Sequence, residues 1–309
     1  MEQSQSVSTT TATRGTRTPR LSAIQLPDWL NSILHNRKAS IGIIILLFFV
    51  LVALFAGQIT SIEPTKRVGR PHEAPSAEHI FGTTRDGKDV FSQVVHGARI
   101  TLFVGFLTGT NLILIAIIMG LTAGYVGGVV DEILSLITNV FLILPAIPLV
   151  IVVAGWLDRP GPGTVMLVLT AISWAWGARV LRSQALTLRN SEFVAAAKVM
   201  GEPTWRIIIF EILPNMVSLV VSSWIGAVQF AILALVTLEF IGLGDVNIVT
   251  WGTILFWAQN NQALLTGAWW TFVPPGVCIA LIGLSLTLIN YGIDEITNPR
   301  LQKHEGGAK

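Results

Sequence analysis

The chain has 309 residues, 52% of them hydrophobic and 12% charged, against roughly 25% charged in an average soluble domain. Mean hydropathy is +0.66, so a membrane protein is indicated before any motif is read. The formal net charge of +2 gives no footprint for nucleic acid, and the single cysteine, Cys278, excludes an internal disulfide. His35, His72, His79, His96 and His304 are scattered, without the spacing of a metal site.

Residues 1–40 are polar and rich in Ser, Thr and Arg, which reads as a partly disordered tail. The stretch LPDWLNSILHNRK near its end suits a short helix lying on the membrane surface. A cleavable signal would put a shorter apolar region near the start. Here the first apolar run begins only at Ile41, and 41–60 reads as an uncleaved first span. Five more runs follow near 100–125, 133–157, 163–182, 216–240 and 269–291. Each is long enough, at 1.5 Å per residue, to cross a hydrocarbon core of about 30 Å. The expected fold is all-α with six transmembrane helices. Residues 61–99 form an extracytoplasmic segment, 100–293 a core of five spans, and 294–309 a C-terminal tail. Gly105 and Gly109, spaced GxxxG, predict a close helix-packing face. Most of the 20 Lys and Arg, among them Arg14, Arg37, Arg179, Arg206 and Arg300, fall on one side if both termini are cytoplasmic. The positive-inside rule therefore predicts N-in, C-in.

Ahead of the second span, Gly82-Thr83-Thr84-Arg85-Asp86-Gly87-Lys88-Asp89 spells GxxxxGK, one residue short of a phosphate-cradling loop. Such a loop needs a buried strand before it and a Ser or Thr hydroxyl for the metal ion. The preceding RPHEAPSAEH is polar and Pro-broken, and Asp89 stands where the hydroxyl belongs. The match is a coincidence, so no ATP hydrolysis is expected of this chain.

The stretch LRNSEFVAAAKVMGEPTWRIIIFEILPN joins spans four and five. Asn190 or Ser191 can cap a helix with Glu192 in its first turn, Gly201 ends it, and Pro203 suits the start of a second helix. Trp205, Ile208, Ile209 and Ile212 fall at i, i+3, i+4 and i+7, an apolar stripe, and Pro214 breaks into span five. Spacing alone allows two uses: a helical pair lying on the membrane, or one that enters a cleft on another protein.

The same stretch resembles the EAA loop of ABC-importer permeases, which reads EAA, three residues, Gly, then about ten residues to Leu-Pro. Ala196, Ala197, Gly201, Leu213 and Pro214 match, while Ala195 stands where the pattern has Glu, and Glu192, one turn earlier, can substitute. FGTTRDGKDVFSQVVHGARITLFVGF is similar to the signature after the first span of the second permease subunit in the dipeptide/oligopeptide/nickel family, with Thr84 and Lys88 for Asp and Arg. LPAIP (144–148), FIGLGD (240–245) and DEITNPRL (294–301) resemble that subunit too. The resemblance covers about 80–301. It implies a permease fold of the type I importers with loop 186–214 as the coupling element, docking on an ATPase subunit. The implied partners are a second homologous permease, two cytoplasmic ATPase subunits that bind ATP and Mg, and an extracytoplasmic substrate-binding protein. This chain would hold no cofactor, and its place would be a prokaryotic inner membrane.

Within the spans, Glu239 is an ionisable residue bordering a charge-free run, and intramembrane ionisable residues are candidates for the path. Gln229 and Asn111 join it as polar neutral candidates, each also able to serve as an interhelical hydrogen bond. Trp251, Trp257, Trp269 and Trp270 cluster around 241–270, as interfacial anchors or as platforms for a sugar ring. The family resemblance implies oligopeptides. Oligosaccharides or a metal chelate form the alternative, and an autonomous carrier or channel a more distant one. A membrane enzyme would need a clustered catalytic set that the sequence does not present.

Overall fold

The computed structural model describes residues 36–156 and 161–297, and its regular elements are helices. In chain order they are α1 (Arg37–Leu54), α2 (Val90–Val126), α3 (Gly128–Ile143), α4 (Ala146–Gly155), α5 (Pro162–Ser173), α6 (Ala175–Leu188), α7 (Glu192–Val199), α8 (Thr204–Phe240), α9 (Trp251–Asn260) and α10 (Val273–Thr297), with a few shorter turns of helix between them. Among the described residues, α1, α2, α8 and a stretch built on α10 are long and apolar enough to cross a membrane unbroken. The pairs α3–α4 and α5–α6 qualify together but are bent by 81° and 41°. Counting each bent pair as one span gives six, so two of the expected spans are broken helices.

Several expected boundaries move, and capping explains where. Helix α2 begins at Val90, inside the segment expected to stay outside up to residue 99, because Asp89 caps it by accepting from Ser92 N at 2.7 Å. Helix α1 begins at Arg37, ahead of residue 41, with Asn36 accepting from the backbone of Lys38 and Ala39. Helix α10 runs past residue 293 to Thr297. The rest of the two tails, and with it most of the expected surface helix, lies outside the described residues.

The opening turn shows what its phosphate-loop spelling is for. Gly82 and Gly87 take positive φ, and Thr84 N donates to Lys88 O across the turn. The Asp89 carboxylate then fills the N-terminus of α2, the position a bound phosphate would take at such a helix.

Helix α2 is the spine. Gly105 and Gly109 face α8, where an added Cβ would meet Ile232 and Val228. Gly120 and Gly124, further along, face α6 at Ala178, Arg182 and Ala185. Two GxxxG steps thus bring α2 against two different helices, where backbone proximity replaces the hydrophobic driving force that lipid cannot supply. On the other flank, α1 lies along α10: Gly42 and Gly292 make the close approaches, and Ser285 Oγ donates to Gly42 O at 2.6 Å.

The connections sort onto two faces. Asn36 Nδ2 donates to Glu295 Oε2 at 2.8 Å, and Ser222 Oγ donates to Asp294 Oδ1 at 2.9 Å. One face therefore carries both described chain ends, α7 and the α2–α3 turn. The opposite face carries 60–89 and 241–270, tied where Trp270 Nε1 donates to Thr83 O at 3.1 Å and Gln93 Nε2 to Pro64 O at 3.1 Å.

If backbone proximity holds α2 to α8, Gly109→Leu should cost on the order of 1–3 kcal/mol of stability from overpacking. A lowered thermal midpoint of the purified chain in detergent would register it. Gly283→Ala, where a Cβ meets nothing within 4 Å, should leave the midpoint unchanged.

Candidate functional site

Helix α7 starts and stops for different reasons. Ser191 stands at its N-cap, but its hydroxyl donates to Leu188 O at 2.6 Å instead of receiving a helix N–H, so the expected side-chain cap is not made. Glu192, exposed in the first turn, is favoured there by the helix dipole. At the other end Glu202 N donates to Ala197 O and Gly201 N to Lys198 O, the paired closure of a left-handed stop. Gly201 has φ +80°, and a Cβ there would meet nothing within 4 Å. The glycine is required by the backbone alone.

Of the loop positions expected to act together, Glu192, Ala195, Ala196, Gly201 and Pro214 face outward, while Ala197 is buried and Leu213 half-buried. Ala197 and Val194 pack into a core with Leu121, Tyr125 and Ala185, which seats α7 on the end of α2.

The stripe expected after Pro203 is not the one formed. Residues 207–212 make a wide π turn, with Leu213 N donating to Ile208 O, followed by a 3-10 turn at Pro214–Met216. Pro214 lacks an N–H, and a tight helix would press its ring against the carbonyl four residues back. The wide turn lets α8 run on past Pro214 to Phe240, so the proline does not break it. Residues five apart now share a face. Ile207 and Ile212 are buried, while Trp205 and Phe210 project outward with ring centroids 6.3 Å apart. Ile212 of the expected stripe is buried, whereas Trp205 is 59% exposed and Ile209 47%. With Val199 at 89% and Met200 at 73%, they leave this face an apolar, solvent-directed surface.

A cavity of about 560 Å³ opens where the two bent pairs bend. Leu112 and Ala116 of α2, Phe141 of α3, Ser173 and Trp174 at the α5–α6 break, and Gly226 of α8 are on its wall. Among the described residues, no Asp, Glu, Lys or Arg lines it. Ser173 Oγ is buried there without a hydrogen-bond partner among the described residues. A wall of this kind offers weak, unspecific contacts, which suits passage better than tight binding. The sequence signal for it was the LPAIP break and the small residues near Gly226, not an ionisable group.

Glu239, Gln229 and Asn111, the residues expected on a path, do not line this cavity. Glu239 is buried, accepting from Thr250 Oγ1 at 2.6 Å, and a Cβ on Gly252 would run into its carboxylate. It holds the start of α9 against α8, a helix neighbour rather than the cavity. Gln229 Nε2 donates to Thr287 Oγ1 at 3.2 Å, joining α8 to α10. Asn111 is half-buried on α2 beside Leu112 and is not on the cavity wall. The tryptophans are also committed. Trp251 is fully buried, its Nε1 donating to Val94 O at 2.9 Å, and Trp257 Nε1 donates to Val246 O at 2.9 Å. Trp269 remains 53% exposed.

Residues 113–303 match the family of binding-protein-dependent transport system inner membrane components. The chain is 34% identical over 288 residues to the dipeptide transport system permease protein DppC of Bacillus subtilis, covering 92% of this chain and 88% of that one. To DppC of Alkalihalophilus pseudofirmus it is 33% identical over 273 residues, covering 86% and 87%. To the oligopeptide transport system permease protein OppC of Bacillus subtilis it is 30% identical over 290 residues, covering 92% and 93%. A charge-free cavity between broken spans, beside a loop seated on the spine helix, thus stands in a chain that belongs to the inner-membrane components of binding-protein-dependent transport systems.

Proposed function

We propose that this chain is one permease half of an ATP-driven importer of oligopeptides, and that α7 with the turn after it is the seat of a cytoplasmic ATPase subunit. The observation that carries this is the outward apolar surface of Val199, Met200, Trp205 and Phe210, held on a loop whose other side is locked into the core. A membrane protein gains nothing by presenting such a surface to water, and a partner that covers it does gain. Glu192, Ala195, Ala196 and Gly201 belong to this surface, Ala197 anchors it, and Leu213 and Pro214 carry the turn into α8.

In this reading the partners are a second homologous permease, two ABC ATPase subunits that bind ATP and Mg, an extracytoplasmic binding protein and the surrounding bilayer, without nucleic acid. The face carrying the chain ends is cytoplasmic, which places Arg37, Lys38, Arg182, Arg189, Lys198 and Arg206 inside, as the positive-inside rule asks. Peptides are favoured over oligosaccharides by two considerations. The relatives carry dipeptide and oligopeptide transport in their names. Trp251 is fully buried and Glu239 is bonded to Thr250, which withdraws two of the residues that spoke for a sugar.

Uptake tests the whole reading: vesicles holding the four-subunit complex with its binding protein should accumulate a labelled oligopeptide only with ATP inside the cell-equivalent compartment. Accumulation by this chain alone would make it an autonomous carrier. Orientation has its own readout. Cysteines at Ser76 and Asn260 should react with an impermeant reagent in intact cells, and one at Val199 should not; the reverse pattern would remove the ATPase seat. Finally, Gly201→Val forces a β-branched residue into a left-handed conformation at a cost of about 1–2 kcal/mol. Membrane insertion should survive and ATPase association or uptake should fall, measured by co-purification and transport. A fully assembled, fully active Gly201→Val complex would sink the coupling assignment.

A further inference from the structure

Helix α3 is weakly packed for a membrane helix in a bundle. Of its 16 residues only Thr138 is buried, while Val129, Ile133, Leu136 and Ile143 are exposed. It is joined to α2 through Gly127 and Gly128, both at positive φ (72° and 57°), and to α4 through the 81° bend. Apart from Phe141 and Leu142 near its far end, which pack on the core, its ties to α6 are polar. Arg182 of α6 donates from Nε and Nη2 to Asp131 Oδ1 and Oδ2 at 2.6 and 2.7 Å, and Ser135 Oγ donates to the same carboxylate at 2.9 Å. Two turns further along α3, Arg179 Nη2 donates to Asn139 Oδ1 at 2.8 Å. A bidentate guanidinium–carboxylate pair fixes orientation as well as distance, which a single contact between exposed side chains does not.

The same turn touches the α7 loop. Arg189, which closes α6, lies so near Gly127 that a Cβ there would strike its guanidinium. Lys198, in the last turn of α7, sits over the Tyr125 ring at 5.1 Å from its centroid. Arg182 and Arg189 share helix α6, and Arg189 leads directly into α7. At its other end α3 contributes Phe141, Leu142 and the following Leu144 to the cavity wall. A loosely packed helix with a glycine pair at one end and a break at the other is therefore clamped at its glycine end by an ion pair to the body that carries the loop, with the Arg179–Asn139 bond and the Phe141–Trp174 ring contact further along.

We propose that the Asp131–Arg182 ion pair is the strut through which displacement of the α7 loop moves α3 and so reshapes the cavity. Asp131 and Arg182 are positioning residues: neither lines the cavity, and both act through α3. This inference rests on the permease reading above, since the displacement is supplied by the ATPase subunit seated on the loop. If α3 were held by packing, loss of the pair would change stability and leave the loop and the cavity moving together. If the pair is the strut, its loss uncouples them.

The test uses the complete importer in lipid vesicles with its binding protein, in a chain whose Cys278 is replaced by alanine. Spin labels at Asn190, exposed where α6 leads into α7, and Val277 report the loop against α10, and labels at Ile143 and Val277 report α3. In the parent chain both distances should change between the nucleotide-free complex and the complex trapped with ATP and vanadate. Asp131→Arg and Arg182→Asp should each keep the loop change, lose the α3 change, and lower uptake of a labelled peptide by roughly tenfold or more. The double variant Asp131→Arg/Arg182→Asp should recover both. An α3 distance that still responds in a single variant, or a double variant no better than the singles, overturns the strut. Where charge reversal prevents assembly, Asp131→Asn keeps the shape and removes the charge; it should blunt the α3 change, and parental behaviour there overturns the proposal equally. A loop distance unmoved by nucleotide in the parent chain removes the permease reading itself, and the strut with it.

Discussion

The rest of the molecule depends on how closely α2 can approach its neighbours. In a bilayer, apolar side chains gain nothing by leaving lipid for protein, so contact must come from backbones that fit together. Gly105 and Gly109 admit α8, and Gly120 and Gly124 admit α6, on successive stretches of one helix. That arrangement sets α8 and α6 against successive stretches of a single spine. The broken pairs then bend around the space between them, and the cavity is what the bend leaves.

The two faces are held in different ways. On the face of 60–89 and 241–270, several buried polar side chains are paired within the chain. His79 Nδ1 meets Asp89 Oδ1 at 3.1 Å, Thr250 and Thr253 cap α9, and Glu239 closes on Thr250. A buried carboxylate is costly without a donor, and a hydroxyl at 2.6 Å is a strong one. On the opposite face, α7 and the turn after it turn apolar side chains outward while polar pairs fix their base. The first pattern makes a scaffold. The second leaves contacts to be completed by another molecule.

Much of this was legible in the residue string, for identifiable reasons. Six spans could be read because hydropathy averages over many residues and forgives a bend. Gly201 could be read because only glycine takes positive φ there without strain, and the GxxxG of Gly105 and Gly109 because spacing by four defines a helix face. What failed depended on facts that are not local. The stripe through Trp205, Ile208, Ile209 and Ile212 assumed a period of 3.6, and the π turn ahead of Pro214, whose hydrogen bonds reach five residues back, widened it and moved these side chains onto different faces. Glu239 was expected by its cost to face the path or a neighbour, and only the fold could say that the neighbour was Thr250, eleven residues on. Trp251 looked like one interfacial indole among several, until α2 supplied the carbonyl of Val94. The cavity carried no titratable residue by which a sequence could announce it.

The wide turn has a consequence for how this helix tolerates change in length. A π turn holds one residue more than an α-helix needs over the same stretch. Deleting one residue between Ile207 and Ile212 would let the stretch close into ordinary 3.6-residue geometry only if Pro214 were replaced as well, since its ring presses on a tight turn. Trp205 and the start of the helix at Thr204 would then keep nearly the same direction, because the residue removed is the surplus one. The wide turn therefore works as slack: the helix can give back one residue without re-aiming the loop it carries.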